Sequence, residues 1–329
     1  MSKMELKNYA NEDWCDSLRR LRENSQGSGL SLKMQLDGLL RARHVTYWDY
    51  IRQDTLLSLQ APRTIVPDEM IFIVYHQISE LYFRLILWEM EQLIDEGATV
   101  TADLFVNKIE RINRYYEQLV SSFSIMVDGM DHHQFMQFRS ALAPASGFQS
   151  LQYRLIDLHA TALPHLVATA HRSQLTGYEP LDKLYRRIYW KEGAIDTKTG
   201  RKDLSLSEFE EKYDGLLLGK AARLEQRSLW SIYRRLASTY AVTDQCRTVL
   251  REFDILANVK WPLVHLKAAM KHLHQASQPV ESTGGTNWRK YLPPRYQQIS
   301  YFPDLWTVEE RDNWGRTYTY ELMSKLVEA

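Results

Sequence analysis

Cysteine is nearly missing from this chain, which has only Cys15 and Cys246 in 329 residues. Two cysteines exclude a disulfide framework and a cysteine-based zinc site, and the absence of CxxCH excludes a thioether-attached haem. An excess of charge of either sign is also missing: 41 Lys and Arg balance 41 Asp and Glu. A nucleic-acid surface shows as a basic excess, so no nucleic-acid partner is expected. The opening MSKMELKNYANEDW lacks the apolar core of a signal peptide. No window of about 18 residues is both strongly apolar and free of charge, so no spanning helix and no membrane partner are expected. A reducing cytoplasm is the default setting. Alternating strand patterns, internal repeats and low-complexity tracts are absent as well.

What remains is apolar and aromatic. The chain is 44% hydrophobic, with 9 Trp, 19 Tyr and 10 Phe. That is enough to fill the core of one sizeable domain or two small ones. The dominant segment is Pro67–Ile94, PDEMIFIVYHQISELYFRLILWEMEQLI. Pro67 and Asp68 give a helix start and Glu96-Gly97 a stop. Its apolar residues leave no broad polar face, which predicts a helix in the middle of a bundle. His76, Gln77, Ser79, Glu80 and Arg84 interrupt the wall and need partners if buried.

The rest of the chain reads as mostly α. Residues 1–45 form an N-terminal arm with a possible helix over 4–23 and the Gly/Ser connector NSQGSGLS. Residues 46–329 form a single helical domain. Thr101 is an N-cap candidate for a second helix reaching about Phe123. Helices follow over 133–142 and 147–161. Residues 175–225 turn polar and predict a surface excursion with a short helix after Ser205 and Ser207. Residues 225–276 are helical again with a break at Pro262, and 277–303 read as a Pro/Gly/Ser-rich loop.

Several residues carry possible chemistry, each with a plainer alternative. His76 and Glu80, one turn apart, are half of a metal site or a satisfied core pair. Arg139 sits in the apolar FRSALAP, either as a surface charge or as a fork for a carboxylate. Phe135 and Leu142 flank it at helical spacing. His265, His272 and His274 form a run that suits a metal or haem ligand, or an ordinary helix face. Thr283-Gly284-Gly285 lacks the rest of a phosphate-binding motif and reads as a turn.

The segment DEMIFIVYHQISELYFRLILWEME resembles the signature helix of the tryptophan 2,3-dioxygenase family. Three further blocks resemble the family's in the same order: TYWDYIRQDTLLSLQ at 46–60, FRSALAPASGFQSLQYR at 138–154, and last WPLVH at 261–265 with STGG at 282–285 and FPDL at 302–305. The resemblance implies an all-α haem enzyme, a homotetramer acting on L-tryptophan or a related aromatic amino acid. Haem b and O2 are the implied cofactor and co-substrate, and N-formylkynurenine the product. His265 is then the haem-iron ligand, with Trp261 four residues before it and Ser146 and Gly147 packed against the haem. His76 accepts the indole N–H, Arg139 binds the carboxylate, and Thr283 helps hold the ammonium. Phe72, Phe135 and Leu142 wall the ring. Tyr47, Tyr50 and Ile51, core-facing aromatics by periodicity alone, reach a neighbouring subunit's site. Phe135 stands where the family often has tyrosine, and Ala143-Pro144-Ala145-Ser146-Gly147 replaces its Gly-Pro-Ser-Ser-Gly turn. A relative on the same scaffold that adds one oxygen to a tryptophan or tyrosine derivative, and a non-enzymatic haem or gas-binding protein, are the alternative readings.

Overall fold

The computed structural model describes residues 16–17, 19–20, 22–23, 31–41, 45–143, 145, 147–192, 194, 202–239, 242–273 and 292–327. Ser146, His274 and Thr283 lie outside the described residues. The chain divides into two units, Met1–Ala61 and Pro62–Ala329, taken here one at a time.

The first unit contains α1 (Leu32–Arg41) and α2 (Tyr47–Ile51). Thr46 starts α2 by accepting a hydrogen bond from the Asp49 backbone N–H, and Arg52 ends it in the left-handed region at φ 54°. The aromatic residues of α2 do not face a core. Tyr47 and Tyr50 are 69% and 78% exposed, and Ile51 is exposed too. A five-residue helix has too little surface to bury them within so small a unit.

The second unit is a helical assembly built on α3 (Asp68–Glu96) and α4 (Ala102–Ser122). These pack on each other; α3 also carries α5 (His132–Leu142) and α6 (Leu151–Ala160), and α7 (Leu204–Leu224) packs on α6. Next come α8 (Leu229–Ser238), α9 (Asp244–Ile255), α10 (Trp261–Leu273) and α11 (Arg316–Val327). Among the described residues no strand occurs; the β content is isolated bridging, as between Val167 and Ile188. The all-α expectation holds.

Helix α3 starts and stops where its signals sit, ending at Gly97 with φ 54°. Its packing differs from the expected bundle centre. Tyr75, Phe83, Ile86, Met90 and Leu93 are buried, whereas Ile78, Leu81, Leu85 and Trp88 are exposed on the opposite side. By length and composition alone this helix is long and apolar enough to cross a membrane, contrary to the expectation that no segment would be. Thr101 caps α4 as expected, accepting from the Leu104 N–H.

The stretch 175–225 is less of an excursion than its polarity suggests. Its helix, expected to be short, runs 21 residues from an Asp203 cap and buries Leu206, Phe209, Leu217 and Leu224. Upstream, Lys191 is buried because Glu210 and Asp214 both pair with it at 2.9 Å. The expected break at Pro262 is also absent as a break. The chain passes from α9 into a π-helical turn, Leu256–Lys260, and Pro262 sits in the first turn of α10. It lies directly after the π turn in a helical run that continues unbroken to Leu273.

Buried polar groups anchor this end of the unit. Asp254, fully buried, accepts from the backbone N–H groups of Tyr301 and Phe302, from Ser300, from Trp306 Nε1 and from Asn258. Burial pushes its pKa up to about 6 despite these donors. Asp157 accepts from Tyr189 and Tyr301.

His165 gives the fold a measurable pH response. Its Nδ1 lies 2.7 Å from the Thr161 hydroxyl and its ring stands edge-on to Trp230. Burial lowers its pKa to about 4, with Asp304 opposing and Arg172, Arg234 and Arg311 reinforcing. The folded value lies below the unfolded value of roughly 6.5. Its stabilising contribution is therefore complete above pH 6.5 and lost as the pH falls through about 4. The expected size, discounted for partial exposure, is on the order of 2 kcal/mol. Urea titrations at pH 7 and pH 4.5 should show His165→Asn losing part of the wild-type difference. An unchanged difference would assign the acid response to other groups.

Candidate active site

Two imidazoles define the site. His76 on α3 turns its Nδ1 to the Phe72 carbonyl at 2.7 Å, and His265 on α10 turns its Nδ1 to the Trp261 carbonyl at 2.8 Å. In each case the partner is the carbonyl four residues back, on the same helical face. A carbonyl only accepts, so each neutral ring carries its proton on Nδ1 and presents the Nε2 lone pair outward.

The surroundings keep both rings neutral. Burial lowers the pKa of His76, with the Phe72 carbonyl and Glu80 opposing. Yet His76 has accessible surface. The ring is packed against Phe72 and stands edge-on to Tyr75, with part of the residue open to solvent. Burial takes His265 down to about 4, the Trp261 carbonyl opposes, and His76 lowers it further. The two rings are thus within electrostatic reach of each other.

Aromatic contacts fix this arrangement. Phe123, at the end of α4, lies 4.3 Å from the His265 ring, and Trp261 lies 4.4 Å from it. Phe123 also meets Tyr75, which stands edge-on to His76. Phe72 packs on His76 at 4.0 Å and on Phe138 at 5.7 Å. Phe138 is fully buried and holds Phe135 at 5.5 Å. Phe123, Tyr75 and Phe138 went unnoticed in the sequence because nothing separates them there from ordinary core aromatics.

Helix α5 brings Phe135, Arg139 and Leu142 to one face of a helix packed on α3. The two N-termini are clasped. The Asp131 N–H donates to Asp68 at 2.7 Å, and the Asp68 N–H donates to Gln134 at 3.2 Å. At the other end Arg63 donates to the Ala141 carbonyl at 3.1 Å. Glu69 receives the N–H groups of Arg63 and Thr64 and the Thr64 hydroxyl. Burial alone would raise the pKa of Glu69, but these donors bring it down. Arg139 is partly buried, and burial lowers its pKa. A guanidinium short of water gains from a carboxylate that pairs with it.

Other candidates fall away or lie apart. Glu80 accepts from Gln152 at 2.8 Å and is not half of a metal pair. No group of three or more acidic, His or Cys ligands occurs among the described residues. His272 is 3% exposed and its Nε2–H donates to the Met126 carbonyl at 3.0 Å, so unlike His265 it has no Nε2 lone pair to offer. Gly147 is exposed, and a Cβ added there would meet nothing within 4 Å. Tyr47, Tyr50 and Ile51 belong to the first unit.

The site thus joins two carbonyl-backed imidazoles, within electrostatic reach of each other and packed among aromatic rings, in an all-helical protein. Comparison with known proteins gives the family. The family model described as tryptophan 2,3-dioxygenase matches residues 37–163. A tryptophan 2,3-dioxygenase of Pseudomonas fluorescens is 40% identical over 279 residues, covering 81% of this chain and 91% of the relative. Those of Herpetosiphon aurantiacus and Bacillus thuringiensis are 29% and 27% identical, over 80% and 82% of this chain and 97% and 93% of theirs. The chain belongs to the tryptophan 2,3-dioxygenase family.

Proposed function

We propose that this protein is a haem-dependent tryptophan 2,3-dioxygenase, inserting both atoms of O2 across the indole C2–C3 bond of L-tryptophan or a closely related amino acid to give N-formylkynurenine. The observation that supports this reading is the pair of neutral imidazoles, each backed through Nδ1 by a carbonyl and within electrostatic reach of the other. The donor set fits haem b: a carbonyl-backed imidazole is a common form of histidine ligand. His265 Nε2 would hold the iron, with Trp261, Ser146 and Gly147 beside the macrocycle, and the haem supplies the oxygen chemistry.

The remaining work falls to the chain. His76 Nε2 accepts the indole N–H and fixes the ring's orientation. Arg139 forks onto the substrate carboxylate, and Thr283 takes the ammonium group. Phe72, Phe135 and Leu142 wall the indole and exclude water. Positioning of this kind contributes by converting an encounter into a held geometry. A visible spectrum of the purified protein with and without tryptophan tests the cofactor and ligand together. A Soret band shifted by tryptophan is expected, and product mass should rise by two oxygen atoms. Addition of one oxygen would move the protein to the monooxygenase reading, and a haem spectrum without turnover to gas binding.

The reading includes a cytoplasmic homotetramer in which Tyr47, Tyr50 and Ile51 complete a neighbour's pocket. Their exposure supports this, as does the exposed stripe Ile78, Leu81, Leu85 and Trp88 on α3. Apolar patches of that extent mark association surfaces. Removing residues 1–60 should disturb both assembly and turnover, read by light scattering and by product formation. A monomeric truncation with full activity would refute the subunit contribution.

A further inference from the structure

We propose that Arg172 and Arg311 form a binding site for a small oxyanion, a phosphate or carboxylate group, separate from the imidazole pair. The two guanidinium groups line one cavity of about 190 Å³ together with Gln298, Val308 and Asp312. A water molecule takes up roughly 30 Å³ of liquid, so the space exceeds what one or two waters need.

Arg172 is fixed from behind. Its Nε donates to the Val167 carbonyl at 2.8 Å, Nη1 to the Gln298 carbonyl at 2.8 Å and Nη2 to the Gln297 carbonyl at 3.2 Å. These carbonyls include the end of the short helix Pro294–Gln297, where Gln298 turns left-handed at φ 46°. Three N–H groups are thereby used, and a guanidinium has five. None of the three partners carries a charge. Arg311, on the short helix Val308–Asp312, is exposed and makes no ion pair among the described residues.

The nearby acids are committed or stand apart. Glu310 is taken by Arg251, which holds its pKa down near about 2. Asp304 accepts from Trp230 Nε1 at 2.9 Å. Asp312 shares the cavity lining but pairs with neither arginine. Burial and the charge of Arg311 bring Arg172 down to about 10. Two like charges around an open cavity, one of them anchored by carbonyls, are relieved by an anion between them. A tetrahedral or planar oxyanion matches the forked donors, and bound there it would join segments 167–172, 297–298 and 308–312.

The test uses the full chain. Thermal midpoints and calorimetric titrations are measured with sodium phosphate and with sodium acetate, each against sodium chloride at equal ionic strength. Phosphate, acetate or both should raise the midpoint of the native protein. Arg311→Gln, at an exposed residue without partners, should weaken the response roughly tenfold or more, as expected for losing a charge-assisted pair. Val308→Glu places a tethered carboxylate at the cavity and should raise the midpoint without added anion while abolishing the response. A response to phosphate alone or acetate alone identifies the bound group. An equal response in Arg311→Gln, or no response beyond chloride in the native protein, overturns the site.

Discussion

Replacing His265 with alanine should remove stoichiometric haem while the helices persist. The ring's contacts are with Phe123 and Trp261, both themselves held by other aromatics: Trp261 meets Phe83 at 5.8 Å and Phe123 at 5.4 Å. The substitution thus removes the proposed ligand from a frame that keeps its own packing. Circular dichroism should be unchanged and the Soret band lost. His272 is poorly placed to substitute, being buried with its Nε2 at the Met126 carbonyl. A five-coordinate histidine haem retained in His265→Ala would mean that the ligand lies elsewhere in the run, and the facing-imidazole reading would fail with it.

Arg139→Lys should raise KM for tryptophan by roughly 10- to 100-fold, the size of a lost charge-assisted bidentate contact. Haem binding should be spared, because Arg139 sits on α5 and the proposed ligand on α10. Lysine keeps the charge but lacks the planar fork. The control is a substrate analogue without the carboxylate. It should bind the native protein weakly and be indifferent to the substitution. If the analogue binds the native protein as well as tryptophan does, Arg139 is not the anchor.

Helix positions were the most legible part of the sequence. Pro67-Asp68, Gly97 and Thr101 are local signals, decided within a few residues, and the structure uses each of them. Burial was less legible because it depends on what packs alongside. The periodicity of α3 shows apolar residues all round, and nothing local tells Phe83, which is buried, from Trp88, which is exposed. The excursion at 175–225 misleads for a related reason. Lys191 and Glu210 look like surface charges until they are found paired inside. For the site, the types and spacing of His76, Arg139 and His265 suggested chemistry, and their assignment to roles came from resemblance. That His76 and His265 come within electrostatic reach of each other is a tertiary fact, and so is the part of Phe123 between Tyr75 and His265.

The π-helical turn at Leu256–Lys260 sets the angular phase of everything after it. A π-turn is in effect one residue inserted into an α-helix. Each residue of an α-helix advances the side-chain direction by about 100°. Deleting a single residue between 256 and 260 would restore an uninterrupted helix from α9 into α10. It would also swing His265 by about that angle relative to the stripe of α9, which is seated on α4. The helix would gain regularity, and His265 would turn away from Phe123 and from His76. In this protein, one surplus residue in a helical run decides which way the His265 imidazole faces.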